Sequence, residues 1–236
     1  MLTLLERPTG TTTTTVVATD RADGDVHPGR VEPHLLRSRQ LAATGRTWTM
    51  IDQAHGVTVH EIHDAGAPPE RDGRSLPGPA DVLVAPGPGA TVAVWAADCA
   101  PVVLVGDRGA LVAVHAGWRG LACGVLDVAV GALTRAGEDV AAAVLGPVIH
   151  PCCYPFGARE LAAVAAGVGV SPGAVTGRSR DGARALDVPA AVAAGLRRTG
   201  VELDVVGPCT GCDARWYSHR RRGETGRHAV VAWSVP

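Results

Sequence analysis

The sequence predicts an α/β (α+β) fold, in which one domain has a mixed β-sheet core flanked by helices. Near-continuous apolar runs such as "DVLVAP" and "ALVAVHAGW" are typical of strands that are covered on both faces. Segments with helical periodicity separate these strands irregularly, which indicates a mixed sheet. Of the 236 residues 46% are hydrophobic but only 3% are aromatic, so the core must consist of small aliphatic side chains in close contact.

The domain division follows from composition. The threonine run "TTTTT" near the start predicts a flexible N-terminus over residues 1–15, followed by one domain over residues 16–236. This length is sufficient to bury a substantial core, and no linker requires a second domain.

The elements follow in order along the chain. A short strand after residue 15 precedes a helix over 31–44, and a strand interrupted at His55-Gly56 follows it. A Pro/Gly-rich stretch over 64–80 predicts a surface loop. The remaining segments are three apolar strands over residues 81–116, a helix over 120–136, a strand from 140, helices beginning near 158 and 188, and strands near 201 and 228.

Charge and cysteine content restrict the partners. The formal net charge of −1 argues against nucleic acid and anionic membranes, and favours a small polar ligand. No apolar run is long enough to span a membrane, and the first residues do not have the pattern of a signal peptide, so we expect a cytoplasmic protein. Its six cysteines should therefore be reduced, and those that matter should be ligands or nucleophiles.

The two apolar strands on either side of Gly109 could form a hairpin that brings candidate metal ligands together. If Gly109 is left-handed in a three-residue turn, Pro101 lies opposite His115, and Cys99 falls on the same face as His115. A two-residue turn would place them on opposite faces. His55 lies at another strand interruption, where Gly56 permits close approach of the backbone.

A His/Cys/His set suits Zn²⁺ and leaves one coordination position open. Such a site lowers the pKa of bound water. The spacing of His55, Cys99 and His115 matches no short zinc motif, so ordinary core residues are the alternative. Of the other candidates, His60 and His63 should be solvated, Cys152 and Cys153 should pack as small apolar groups, and "CTGC" at 209–212 is a weak metal or redox signal.

Several motifs together resemble one family. "ADCAPVVLV", "AVHAGWRG", "LGPVIHPCCYPFG" and "CTGCDARWYSHRRRGETGRHAVVAW" occur in the order found in the YfiH-type laccase-domain proteins, which are also called multicopper polyphenol oxidoreductase-like proteins or peptidoglycan editing factors. "DQAHG" takes the place of the family's Q-x-H-G. The resemblance extends from about residue 16 to the end of the sequence.

This resemblance implies a zinc site at His55, Cys99 and His115, with Cu²⁺ as a possible substitute. It implies a purine nucleoside enzyme that phosphorolyses adenosine, inosine, guanosine or methylthioadenosine and deaminates adenosine, with nucleoside and phosphate as its small-molecule partners. The alternatives are a copper-dependent polyphenol oxidoreductase, a peptidoglycan precursor editing factor and a non-enzymatic zinc-binding protein. Whether the chain is a monomer or a homodimer is left open.

Further residues are candidates for catalysis and substrate binding. Asp98 is the nearest acid/base candidate, although a carboxylate that fixes a loop is an equal alternative. Arg119 is a candidate phosphate contact, against a surface arginine stacked on Trp118. Arg21 and Gln53 are predicted to bind substrate. Arg220, Arg221 and Arg222 either complete a phosphate cradle or form a solvated face, and His219 stands where the family usually has tyrosine.

Overall fold

Two mixed β-sheets packed face to face form the centre of the molecule. The computed structural model describes residues 1–62 and 78–236. The five-stranded sheet contains, in spatial order, β1 (Leu2–Thr9), β2 (Thr12–Ala18), β13 (His228–Val235), β6 (Thr91–Ala96) and β3 (Thr49–Met50). The six-stranded sheet contains β12 (Val205–Val206), β9 (Val140–Leu145), β7 (Ala100–Gly106), β8 (Leu111–Ala116), β5 (Val82–Ala85) and β4 (Val59–Glu61).

Helices and a small ribbon complete the fold. The helices are α1 (Pro33–Thr44), α2 (Trp118–Ala122), α3 (Val125–Arg135), α4 (Ala158–Gly167), α5 (Val188–Arg198) and α6 (His219–Arg222). The ribbon is formed by β10 (Thr176–Arg178) and β11 (Arg184–Leu186). Both large sheets combine antiparallel and parallel pairs, and the predicted mixed α/β fold is therefore confirmed.

The central strand β7 shows why the apolar runs are continuous. Val102 and Leu104 point toward the helical layer, where they pack in one core with residues of α3, α4 and α5. Val103 and Val105 point the other way and pack against residues of the five-stranded sheet. Because both faces of this sheet are covered at its centre, strands β5, β7 and β9 carry no polar side chain, rather than alternating apolar and polar positions.

The first fifteen residues differ from their prediction. They are not a flexible segment but form β1 and the start of β2, which pair as an antiparallel hairpin. Threonine is β-branched and suits strands, and its buried hydroxyls find partners: Thr14 Oγ1 lies 2.8 Å from Ser234 Oγ of β13 and 2.8 Å from Thr9 Oγ1. Most of the threonine run that suggested a flexible start belongs to β2, an inner strand of the five-stranded sheet.

Two further elements depart from the expected ones. The helix expected over 120–136 is divided into α2 and α3, because Gly124 adopts a left-handed conformation with φ of 79° between them. The strand expected near 201 is reduced to β12, which is two residues long. Most of the predicted loop over 64–80, and His63, lie outside the described residues.

None of the helices in residues 1–62 and 78–236 has the length and apolar character that a membrane crossing requires.

Candidate metal centre

The hairpin of β7 and β8 has the register that brings Cys99 and His115 together. Pro101 lies opposite His115, and the Gly106 amide donates to the Ala110 carbonyl at 2.8 Å. Gly109 has a φ of 102°, as the three-residue turn requires. Cys99 immediately precedes β7, so that its thiol lies at the same end of the sheet as the imidazole near the end of β8.

His55 completes the group from a separate loop after β3. Its backbone is left-handed, with a φ of 61°, a conformation that costs energy in residues other than glycine. The donor atoms of His55, Cys99 and His115 all lie within 4.8 Å of one another. The two imidazole rings meet edge to face, with centroids 4.6 Å apart. Two imidazoles and one thiolate are a donor set that suits zinc.

Gly117 keeps the space beside these donors open. A Cβ atom at this position would lie 2.9 Å from His55 Cδ2 and 3.5 Å from Cys99 Sγ. Its φ of −67° is available to any residue, so the glycine is required by space and not by backbone conformation. The glycine of "HAGW" thus keeps side-chain atoms away from the three donors.

Asp81, which the sequence reasoning missed, holds the centre from behind. It is fully buried, and its Oδ1 atom lies 2.8 Å from His115 Nδ1 and accepts the His55 amide at 2.9 Å. Its Oδ2 atom accepts the Gly56 amide at 2.6 Å. The bond to Nδ1 leaves Nε2 of His115 as the metal-binding nitrogen, an arrangement common at zinc sites. The available signal was a carboxylate at the start of the apolar run "DVLVAP".

The electrostatics of the group favour a thiolate. Burial raises the pKa of the Cys99 thiol, but hydrogen bonds with His115 and His55 and the charges of both rings outweigh burial and lower this pKa to about 6. Burial lowers the pKa of His115, whereas Asp81 and Cys99 raise it to about 9. Burial also opposes ionisation of Asp81, but its hydrogen bonds with His115 and Gly56 lower its pKa. A cation would therefore meet the Cys99 thiolate already formed, and its binding would displace a proton from His115.

A cavity of about 250 Å³ lies in front of the centre. Ligand pockets are typically about 300–1,000 Å³, so this cavity suits a small molecule rather than a polymer. Two of the three candidate metal ligands, the rings of Trp118 and Tyr154, and two arginines contribute to its lining. Its lining consists of His55, Ala97, Asp98, Cys99, Ala100, Ala116, Trp118, Arg119, Ile149, Tyr154, Val188, His219 and Arg220.

Asp98 lines the cavity but directs its carboxylate at protein donors. Oδ1 accepts the hydroxyls of Thr210 at 2.6 Å and Ser218 at 2.7 Å, and Oδ2 accepts the Arg220 amide at 2.6 Å. Its left-handed backbone, with a φ of 95°, is held by these bonds. The contacts match the loop-fixing alternative, because they join the start of β7 to residues 210–220.

Each of the two cavity arginines lies over an aromatic ring. Arg119 is exposed and stacks on the Trp118 ring, with its guanidinium carbon 4.5 Å from the ring centre. No hydrogen bond or ion pair to the described residues engages this guanidinium, which leaves its donors available to a ligand. The Arg220 guanidinium lies over the Tyr154 ring at 5.2 Å.

Arg21 and Gln53, which were predicted to bind substrate, have other contacts. The Arg21 guanidinium donates to the carbonyls of Ala214 and Trp216 and to Glu224 Oε1. The Gln53 amide pairs with both backbone groups of Trp95, at 2.9 and 3.1 Å. Neither residue lines the cavity, and both side chains tie segments of backbone together.

The arginine run 220–222 separates in space. Arg222 donates to the carbonyls of Thr210, Gly211 and Trp216 and so supports the loop before α6. Arg221 lines a second cavity beside Cys152 and Cys153. Only Arg220 of the three, together with His219, reaches the cavity at the metal centre.

Four of the five remaining cysteines form a group that the sequence reasoning did not anticipate. Cys152 and Cys153 do not pack separately, but lie with Cys209 and Cys212 so that all four sulfur atoms are within 4.8 Å of one another. The prediction assumed an extended chain, in which neighbouring side chains point apart. Residues Pro151–Cys153 instead form a 3₁₀ turn, which directs both thiols to the same side. This four-cysteine group could also hold a metal ion.

The chain is similar to proteins of known family. It is 34% identical to a purine nucleoside phosphorylase of Pseudomonas aeruginosa over 89% of this chain and 82% of that protein. It is 37% identical to a purine nucleoside phosphorylase of Streptomyces coelicolor over 83% and 81%. The structure superposes on YlmD from Geobacillus stearothermophilus with a TM-score of 0.77, 23% identity and coverage of 96% of this chain and 93% of that chain.

A second structure and a family model agree. A Neisseria meningitidis protein aligns over 98% of both chains with a TM-score of 0.74 and 25% identity. The model described as "Multi-copper polyphenol oxidoreductase laccase" matches residues 19–235. The chain therefore belongs to this laccase-domain family.

Proposed function

We propose that the protein is a zinc-dependent purine nucleoside phosphorylase. The observation that carries the proposal is the small cavity whose floor contains the donor atoms of His55 and Cys99 and whose wall contains the free guanidinium of Arg119. The relatives named as purine nucleoside phosphorylases support it. A zinc ion at His55, Cys99 and His115 would supply a Lewis acid for a substrate oxygen or a water molecule.

The chain's own residues have separate tasks in this proposal. The rings of Trp118 and Tyr154 offer apolar faces to the purine. Arg119 and Arg220 neutralise phosphate, because guanidinium groups bind its oxygens through paired donors. A phosphate oxygen then bonds to C1′ of the ribose as the C1′–N9 bond breaks, and the electron pair of that bond passes to the base, which takes up a proton. Asp98 positions the start of β7 and the Arg220 loop.

Product analysis tests this function. Purified protein is incubated with adenosine with and without phosphate, and the products are separated by chromatography. We expect adenine and ribose 1-phosphate only with phosphate, and loss of this activity in Cys99→Ser but not in Cys123→Ser, an exposed cysteine outside both groups. Adenine formation unaffected by Cys99→Ser would contradict the proposal. Inosine formed without phosphate would reveal the deamination that the resemblance implies.

The role of Arg119 has its own test. Arg119→Ala should raise the KM for phosphate by about tenfold or more, since charge-assisted bonds contribute about 1.5–3 kcal/mol each. Arg159→Ala is the matched control, because Arg159 is exposed on α4 and outside the cavity. An unchanged KM for phosphate in Arg119→Ala would remove Arg119 from the phosphate site.

Copper-dependent oxidation of phenols is the competing activity, and a parallel assay tests it. Multicopper oxidation requires several copper centres rich in histidine, whereas residues 1–62 and 78–236 bring imidazoles together in one ligand group only. Copper-loaded and zinc-loaded protein can be compared with a phenol as substrate. Turnover of phenol by the copper form that exceeds turnover of adenosine by the zinc form would favour the oxidoreductase reading.

A further inference from the structure

We propose that Cys152, Cys153, Cys209 and Cys212 hold a second, structural zinc ion. This site is separate from the cavity and does not depend on the proposed reaction. The four residues come from two segments, the 3₁₀ turn Pro151–Cys153 and the loop of "CTGC".

The sulfur geometry fits one tetrahedral ion. Zinc–sulfur bonds of about 2.3 Å place the sulfur atoms of a tetrahedral site about 3.8 Å apart. In the structure Cys152 Sγ lies 3.8 Å from Cys153 Sγ, 3.8 Å from Cys209 Sγ and 3.3 Å from Cys212 Sγ, and Cys153 Sγ lies 3.6 Å from Cys212 Sγ. These separations are far longer than the bond of about 2.05 Å in a disulfide. They place four sulfur atoms around one point at the spacing of a four-sulfur metal site.

Backbone and side-chain donors surround the sulfurs as they do at thiolate metal sites. The His150 amide donates to Cys209 Sγ at 3.3 Å, and Arg180 Nη2 donates to Cys212 Sγ at 3.1 Å. Arg180 and Arg221 both line the cavity of about 200 Å³ next to Cys152 and Cys153. Four thiolates and one Zn²⁺ carry a net charge of −2, which two nearby guanidinium groups offset.

Glycine permits the two segments to approach. A Cβ atom at Gly211 would lie 2.6 Å from Cys153 Cβ and 2.8 Å from Cys153 Sγ. The amides of Cys212 and Asp213 both donate to the Cys209 carbonyl at 3.1 Å, which turns the loop so that its two thiols face one point. A C-x-x-C turn of this kind is a frequent half of a structural zinc site.

The proposed ion would also stabilise the first site. Thr210 lies inside the C-x-x-C turn and donates to Asp98, and Tyr154 directly follows Cys153 and lines the catalytic cavity. A metal that fixes both segments would therefore fix one wall of that cavity. Because the unfolded chain has no such site, the free energy of zinc binding would add to the stability of the folded protein.

Metal counting on four proteins tests the proposal. We expect two zinc ions per chain in the wild type, one in the double variant Cys209→Ser/Cys212→Ser, one in Cys99→Ser, and two in the control Cys123→Ser. A wild type with one zinc ion that the double variant retains and Cys99→Ser loses would overturn the second site while leaving the first intact.

A second measurement does not require the double variant to fold. X-ray absorption at the zinc edge of Cys99→Ser should show four sulfur neighbours at about 2.3 Å. Nitrogen or oxygen neighbours in place of sulfur would contradict the proposal. Thiol titration of the wild type, denatured without reductant but with a chelator, should yield six free thiols per chain, and a lower number would reveal disulfides in place of a metal site.

Discussion

At the scale of single residues, the candidate metal centre depends on Asp81, a carboxylate that is not itself one of the three candidate ligands. Asp81 joins three parts of the centre, because it accepts from the ring of His115 and from the amides of His55 and Gly56. It thereby sets the ring orientation of one ligand and the strained backbone of another. Such partners fix the tautomer and the ring orientation of metal-binding histidines and raise their basicity.

Asp81→Asn should therefore weaken zinc binding at the first site by about 10–100-fold. Asparagine keeps the size of the side chain. Its NH₂ group, however, cannot accept the hydrogen bond that a carboxylate oxygen of Asp81 accepts from a backbone N–H. Zinc affinity is measured by competition with a chelator. Asp139→Asn serves as control, because Asp139 is exposed and outside both cysteine-containing groups. Equal affinities of the Asp81 variant and the wild type would show that Asp81 does not orient the ligand.

Gly117→Ala should weaken the same site by a different route. The new Cβ would lie 2.9 Å from His55 Cδ2, so the imidazole must move by several tenths of an ångström, more than zinc–ligand distances tolerate. We expect about tenfold weaker zinc binding, or about 1.4 kcal/mol. Gly87→Ala is the matched control, since nothing lies within 4 Å of its added Cβ. Weakening of equal size in both variants would argue against a local clash.

At the scale of elements, the helical layer is held by close backbone contacts. Gly167, the last residue of α4, faces the end of α2, where an added Cβ would lie 2.4 Å from the carbonyl oxygens of both Leu121 and Ala122. Since α2 directly follows the "HAGW" segment, the approach of these helices supports the cavity wall that contains Trp118 and Arg119.

Gly167→Ala should lower the free energy of unfolding by about 1–3 kcal/mol, as overpacking in a close contact does. Gly131→Ala, inside α3, meets only Arg135 Nη1 at 3.5 Å and should instead raise it by about 0.5–1 kcal/mol, because alanine is the better helix former. Urea unfolding of both variants measures the two free energies. The same sign in both variants would contradict the contact proposed for Gly167.

At the scale of the whole molecule, one buried histidine couples folding to pH. His228 begins β13 and is fully buried, with its ring 5.5 Å from that of Trp216. Burial, together with the charge of Arg227, lowers the pKa of His228 to about 4, although the backbone of Pro147 opposes this shift, and neither ring nitrogen has a hydrogen-bond partner among the described residues. The unfolded chain has an ordinary histidine there, and it therefore binds more protons than the folded chain at mildly acidic pH.

The contribution of neutral His228 to the free energy of unfolding should be fully present above pH 6.5 and should decline as the pH falls toward 4. The loss is about 3 kcal/mol over this window, from about 1.4 kcal/mol per pKa unit. His228→Gln should flatten the dependence of the unfolding free energy on pH, measured by urea unfolding at intervals between pH 7 and 4. His34→Gln, an exposed histidine on α1, should leave the slope as in the wild type. Loss of metal at low pH affects all three proteins and cancels in their differences.

Local sequence patterns predicted most of the secondary structure and the first metal site. Features that depend on contacts between distant segments were not predicted. Of the two registers of β7 and β8 that the sequence left open, the one with a three-residue turn at Gly109 is observed, and it places Cys99 near His115. Asp81 was missed because its partners lie 26 and 34 residues away along the chain. The four-cysteine group was missed because one tight turn, rather than an extended chain, carries Cys152 and Cys153.

The position of β13 between β2 and β6 has a consequence for the order of folding during synthesis. Thr14 and Ser234, which contact each other across two of these strands, are 220 residues apart. Strands β4 to β9 emerge from the ribosome well before β13 and can pair without it, whereas the five-stranded sheet cannot close until residues 228–235 are available. Until then the core around Val103 and Val105 lacks Val230 and Ala232 of β13, so part of the apolar face of the early sheet stays exposed on the nascent chain.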